Sequence, residues 1–298
     1  MNKLRYSEMF YSIQGEGRYV GVPSVFLRVF GCNFECTGFG QPRDKEQWVS
    51  EELMPHNKSY SDISEIKDLP VPHIGCDSSF SWGKKWGHLA DYDDVDTIVD
   101  KINSYIPGTE PIHLVITGGE PLLKGFQSAM SDIVLHKKLR INNITFETNG
   151  TQEYFFNDLV ETHPNRYQLY CERLGKSTLI RLPNGITWSV SPKLSISGEE
   201  WKDAIVPDAL LSYNTWPDSF LILKFVVRDK YDLQEVEEAI MTYKDAGVRI
   251  DSIYLMPEGG TLEEVSYTEK DVVQLCLDTG YKFSPRLHIN LFGNVWGT

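Results

Sequence analysis

Three of the five cysteines carry the first chemical signal. Cys32 and Cys36 stand four apart in "FGCNFEC", a spacing that can hold two thiolates on one metal, but no third ligand follows within a few residues. The next cysteine is Cys76, in "HIGCDSSFSWG". From these residues alone four readings stay open. The thiols could simply be buried. They could bind zinc, although a closed structural zinc site wants four nitrogen or sulfur ligands. They could form a redox pair, although the spacing is not C-x-x-C. Or they could hold a cubane iron–sulfur cluster on three thiolates, with one iron open. Cys76, with its polar "CDSSFSWG" context, separates these readings. Cys276, at helical spacing from Val272, Val273 and Leu275, and Cys171, after "NRYQLY", are expected to be structural thiols.

Other candidate groups fall just after apolar runs. Gly118-Gly119-Glu120 offers bare backbone and one carboxylate, a match for an ammonium group, against the plainer reading of a strand-to-helix turn. "ETNG", "SPK" and "MPEGG" occupy the same kind of position. The preceding runs read as six strands rich in β-formers: 24–31, 112–117, 143–148, 186–191, 220–227 and 252–257. Between them lie helical patterns such as "DDVDTIVDKINSYI" and "DLQEVEEAIMTYKDAG", the second ended by Gly247. Strands alternating with helices predict a parallel sheet with right-handed crossovers, and loops at its C-terminal edge converge on a ligand. The expectation is an α/β fold, a partial (β/α)6 TIM-like open barrel in one domain over 1–298, with all chemistry on one rim. Residues 37–75 are polar and proline-bearing and read as an insertion in the loop after the first strand, with one short helix near Gln47–Met54.

The 298 residues carry a formal net charge of −13, which argues against a standing grip on nucleic acid or an anionic membrane. No run is long and apolar enough to span a bilayer, and the N-terminus has no apolar signal core. A reducing cytosol, with free thiols, is the expected setting; the odd cysteine count agrees.

In order along the chain stand "YSIQGEG", "VFLRVFGCNFEC", "CDSSFSWG", "ITGGEP", "ETNG", "SPK" and "LHINLFGNVWG". This set resembles the 7-carboxy-7-deazaguanine synthases of the radical S-adenosylmethionine superfamily. The resemblance covers the chain apart from the insertion and implies its activity: ring contraction of 6-carboxy-5,6,7,8-tetrahydropterin to 7-carboxy-7-deazaguanine with loss of ammonia, in queuosine-type 7-deazapurine biosynthesis. The superfamily pattern is C-x3-C-x2-C, so the resemblance makes Cys32, Cys36 and Cys76 the ligands of one 4Fe-4S cluster, the third displaced by the insertion. An aromatic residue often precedes that third cysteine; Gly75 stands there, so the contact is either lost or supplied by backbone or by Ile74. S-adenosylmethionine would chelate the open iron, and its reductive cleavage would give a 5′-deoxyadenosyl radical.

The resemblance assigns Gly118, Gly119, Glu120, Glu147, Asn149, Ser191, Pro192, Lys193, Met256, Pro257 and Glu258 to S-adenosylmethionine. It assigns Ile13, Gln14, Gly15, Glu16, Arg28, Thr117, His288 and the terminal Thr298 to the pterin, with Arg28 forked onto the substrate carboxylate. Ser78 would be a hydroxyl ligand to Mg2+, although it could equally cap a helix, with Asp77 competing. A flavodoxin- or ferredoxin-like electron donor and a homodimer are implied; nucleic acid is not a direct partner. The rival readings are an activase of a glycyl-radical enzyme and a zinc-stabilised binding protein.

Overall fold

All six apolar runs become strands, and three further strands join them. The computed structural model describes residues 2–40, 62–69, 75–156, 185–293 and 295–298. The expected helix at Gln47–Met54, most of the insertion, Ile74 and Cys171 lie outside these residues. The strands are β1 Lys3–Ile13, β2 Pro23–Val29, β3 Asp91–Asp94, β4 Ile112–Gly118, β5 Ile141–Thr148, β6 Gly185–Val190, β7 Ser219–Val227, β8 Ser252–Pro257 and β9 Lys282–Phe283. They form one open sheet in the order β3-β1-β2-β4-β5-β6-β7-β8-β9. From β2 to β9 every pairing is parallel, whereas β1 pairs antiparallel with β2 and β3. The six-stranded expectation is therefore the parallel heart of a nine-stranded sheet.

The sequence hides β1 for a local reason. Its register slips between Tyr6 and Glu8, so the two-residue alternation that marks a strand is broken midway. β3, "DYDD", has no β-former except Tyr92 and is held by pairing along Lys3–Tyr6 and by Lys101, whose Nζ lies 2.7 Å from Asp93.

The helices cover one face. α1 Val95–Ser104 starts where Asp94 accepts the Thr97 N–H and buries Val95, Ile98, Val99 and Ile102, one stripe at helical spacing. α2 is Lys124–Val134 and α3 Pro207–Asn214. α4 Lys230–Asp245 is capped by Asp229 and closed by Gly247, whose φ of 90° suits the position just past a helix end. α5 Leu262–Thr279 opens with a Thr261/Glu264 capping box and buries Cys276 in the core, as expected of that thiol. α6 is Leu287–Phe292.

Alternation along the strands sorts the two faces. Leu114 and Ile116, Phe146, Trp188, Leu223 and Phe225 join the helix-side core. There Trp188 is fully buried and stacks on Phe146 and Tyr213 at 5.0 and 4.8 Å. The neighbouring positions Arg28, Thr117, Glu147 and Lys224 face a cavity on the other side. Its floor is polar and sealed: His113 bonds to Ser24 Oγ and Thr145 Oγ1, each at 2.8 Å, with the Tyr19 ring 4.4 Å from its own.

Candidate active site

The insertion is pinched at its neck. The Gly75 N–H donates to the Phe39 carbonyl at 2.8 Å, so the chain leaves and returns at one point. Cys36 lies three residues before that point and Cys76 one residue after it, as though 40–74 were absent. Phe39 and Cys36 both take left-handed φ values, 54° and 42°. The strand-like bonds from Gly38 and Phe39 N–H to Ser197 and Ile196 carbonyls, 2.8 Å each, fix this turn, as does Glu199, whose carboxylate accepts the Cys36 N–H at 2.7 Å. Gly38 has no alternative: a Cβ there would lie 2.1 Å from the Ile196 carbonyl oxygen.

Cys32, Cys36 and Cys76 consequently share one apolar patch with Phe34, Phe39 and Ala204. Burial pushes the Cys32 thiol up to about 12. Cys36 and Cys76 hydrogen-bond to each other, which raises the first and lowers the second. Among the described residues no three His, Cys, Asp or Glu side chains converge on a point suited to a single ion. Three soft thiols spread around one wall of a cavity suit a cluster of several irons better than one zinc. Phe39 supplies an aromatic wall beside the third thiol.

The Gly-Gly-Glu loop lies flat on the end of β2. A Cβ on Gly119 would meet the Gly31 carbonyl oxygen at 2.1 Å, and Gly118 needs its φ of 134°. The loop presents backbone to the cavity, but the Glu120 carboxylate turns beneath it. Both oxygens are taken there, by Leu122 N–H (2.9 Å), Thr148 Oγ1 (2.8 Å) and Asn149 N–H (2.7 Å). Burial lifts its pKa to about 7 against those bonds. Glu120 thus ties this loop to "ETNG", and Asn149 extends the tie to Asn33 in the cysteine loop at 2.9 Å.

A buried ion network occupies the far wall. Lys224 Nζ lies 2.5 Å from Glu16 Oε2 and 2.9 Å from Glu147 Oε2, and Gln14 Nε2 reaches Glu147 Oε1 at 3.3 Å. Arg286 approaches Glu16 at 3.4 Å and Asp77 at 2.6 Å. Burial works to raise the Glu16 carboxyl, but Lys224 and Arg286 outweigh it and hold Glu16 well below the usual carboxylate range. Burial likewise opposes the Lys224 charge, and Glu147 and Glu16 more than restore it. Burial lowers His288, leaving a neutral ring. Gly15 is required by that ring, since a Cβ would lie 2.1 Å from His288 Nδ1.

Arg28 is not free. Its Nε donates to Glu8 Oε1 at 2.8 Å across the β1–β2 pair, and its Nη1 to Ser78 Oγ at 3.1 Å. Ser78 precedes the short turn Ser79–Ser81 but its side chain caps nothing; it donates to Asp77 Oδ1 at 3.1 Å. Lys193 Nζ reaches Ser191 Oγ at 3.4 Å.

One cavity of about 480 Å3 unites these groups. Every expected site residue lines it except Glu120, Pro192 and Pro257, and Thr298 reaches it from the C-terminal tail. Glu147, expected with S-adenosylmethionine, lines the cavity and has Gln14, Ser189 and Lys224 as protein partners. Lys224, Arg286, Asp77, Glu8 and Phe39 were not foreseen. Lys224 was findable: a charge inside "FLILKFVV" must have a partner.

The chain is similar to proteins of one name. A 7-carboxy-7-deazaguanine synthase of Halobacterium salinarum is 30% identical over 301 residues, covering 98% of this chain and 91% of its own. Those of Rhodopirellula baltica and Escherichia coli are each 26% identical, covering 100% and 92% of this chain. The crystal structure of QueE from Escherichia coli superposes with a TM-score of 0.50 at 20% identity, covering 95% of this chain and 93% of that one, a likeness of fold. No family model matches.

Proposed function

The chain belongs to the 7-carboxy-7-deazaguanine synthase family, and on that premise we propose how its cavity carries out the family's reaction. The substrate is 6-carboxy-5,6,7,8-tetrahydropterin, the product 7-carboxy-7-deazaguanine, and ammonia leaves. The observation that carries this reading is the neck: it brings Cys76 back beside Cys36, on one cavity with the charged wall around Glu16.

Cys32, Cys36 and Cys76 would hold the cluster. Gly118, Gly119, Asn149, Ser191, Lys193, Met256 and Glu258 would hold S-adenosylmethionine, with Phe39 as an apolar wall. Bound there, cluster and S-adenosylmethionine would supply the radical that starts the rearrangement.

The chain's own residues set the substrate. Glu16, kept ionised by Lys224, accepts N–H donors of the pterin edge, while Gln14 and the Gly15 backbone flank it. Neutral His288 and Thr117 add hydrogen bonds, and Thr298 closes the far side. Arg28 takes the substrate carboxylate with the part of its guanidinium that Glu8 leaves over. Glu147 belongs to this pterin wall through Lys224. The oxygens of Ser78 and Asp77 suit Mg2+; Arg28 Nη1, 3.1 Å from the same hydroxyl, competes with the cation for it. Among the described residues no helix is long and apolar enough to cross a membrane. The reaction would draw its electron from a flavodoxin- or ferredoxin-like donor in the cytosol. A homodimer remains the expected assembly.

The test is anaerobic reconstitution with iron and sulfide, then reductant, S-adenosylmethionine and the carboxypterin. Product and ammonia should form in equal amounts. A protein that takes up zinc but gains no visible charge-transfer absorption would overturn the assignment.

A further inference from the structure

We propose that the insertion anchors the C-terminal tail over the cavity, with Trp296 as the positioning residue. A second, small core lies apart from the main one: Phe30, Ile63, Leu69, Phe80 and Trp86 are buried together, and Trp296 packs against them. Its members come from four places, one of them the 3-10 turn Lys84–Leu89 that carries Trp86. Phe30 follows β2, Phe80 stands four residues after Cys76, and Ile63 and Leu69 belong to the insertion. With Ile66 they recur every third residue around a 3-10 turn, the spacing that lines up one face of such a turn.

Two polar bonds add direction to this packing. The Trp296 indole N–H donates to the Leu69 carbonyl at 2.8 Å, while its ring meets Phe80 edge-on at 4.2 Å. His88 Nε2 donates to the Ile63 carbonyl at 3.0 Å, tying the insertion to the segment after the third cysteine. A carbonyl facing one indole N–H sets where Trp296 sits, and an aromatic anchor fixes the residues beside it. Gly297 and Thr298 follow at once, on the cavity wall. The insertion therefore fixes the end of the chain, and the same small core holds the turn that carries Cys76 and Ser78. The functional half of the inference rests on the proposed role of Thr298 toward the pterin.

The experiment uses the reconstituted protein and two readouts. The first is the rate at which carboxypeptidase releases Thr298, with cluster iron content and cooperative melting as controls for folding. Losing the indole bond and the ring contact in Trp296→Ala should speed release by about tenfold or more. Ile63→Ala, which cuts the insertion side, should do the same, and Trp296→Phe, which keeps a ring but loses the N–H, should fall between. Protection of the tail in Trp296→Ala would overturn the proposal. So would protection in Ile63→Ala alone, since Phe80 would then hold the tail unaided. The second readout is KM for the carboxypterin against KM for S-adenosylmethionine. The first should rise in both alanine variants and the second should not. If the tail loosens while the pterin KM stays fixed, the anchor stands and the substrate role of Thr298 falls.

Discussion

Lys224 shows how a single residue is decided by its partners. Alone in an apolar strand its ammonium would be untenable; here it is paired with both Glu16 and Glu147, and with Arg286 it holds the Glu16 carboxyl well below the usual carboxylate range. Lys224→Met should cost about 3–5 kcal/mol in urea unfolding, because it takes the buried cation from two part-buried carboxylates and leaves Glu16 with Arg286 alone, and should abolish carboxypterin binding. The cysteines give a cleaner contrast. Cys76→Ala should lose most of its cluster iron after anaerobic reconstitution and Cys276→Ala should retain it, because only the first faces the cavity; iron loss in the second variant would reverse the ligand assignment. Arg28→Leu should keep iron and S-adenosylmethionine but weaken the carboxypterin by about 2–5 kcal/mol, as for a truncated charge pair. Unchanged binding would reduce Arg28 to the partner of Glu8. At this scale nearly every residue the sequence put in the site lines the cavity, since chemistry follows strand ends. It did not yield the pairings: Glu8 meets Arg28 only through strand register, and Glu120 turns under its loop only because three donors wait there.

Elements were legible where periodicity was clean and obscure where it was interrupted. Six of the parallel strands declared themselves as apolar runs, the two-residue β9 did not, and α1 and α4 showed by stripe and cap. β1 was lost to its register slip and β3 to its three aspartates, although together they supply Glu8 and extend the sheet beyond β2. The inner floor of the sheet carries a pH signature of its own. His113 is buried between two hydroxyls, and burial lowers it from about 6.5 to about 4. The unfolded chain takes up this proton near its ordinary value, the folded one only near pH 4. The stability His113 contributes is therefore present above pH 6.5 and is lost as pH falls through 4, by about 3 kcal/mol. Urea unfolding at pH 7 and pH 4 should show this drop, and His113→Gln should remove most of it. An equal drop in the variant would assign the acid sensitivity to other groups.

Across the whole molecule, the fold was readable because helix and strand patterns alternate for most of its length. The insertion was readable only as an interruption, since nothing local announces that its ends meet at Phe39 and Gly75. That neck has a consequence in chain entropy. Closing a loop costs free energy that rises only with the logarithm of its length, about 0.6 kcal/mol per doubling. The number of residues between the second and third thiols is thus nearly unconstrained, while the two residues that shut the loop are not. Glycine–serine repeats added within residues 41–61 should leave iron content intact and barely move the melting temperature. Gly75→Val should lose iron at unchanged loop length, because Gly75 holds a φ of 82° that a β-branched residue resists. What is fixed in this cluster motif is a point of closure; the spacing printed in the sequence is the part free to drift.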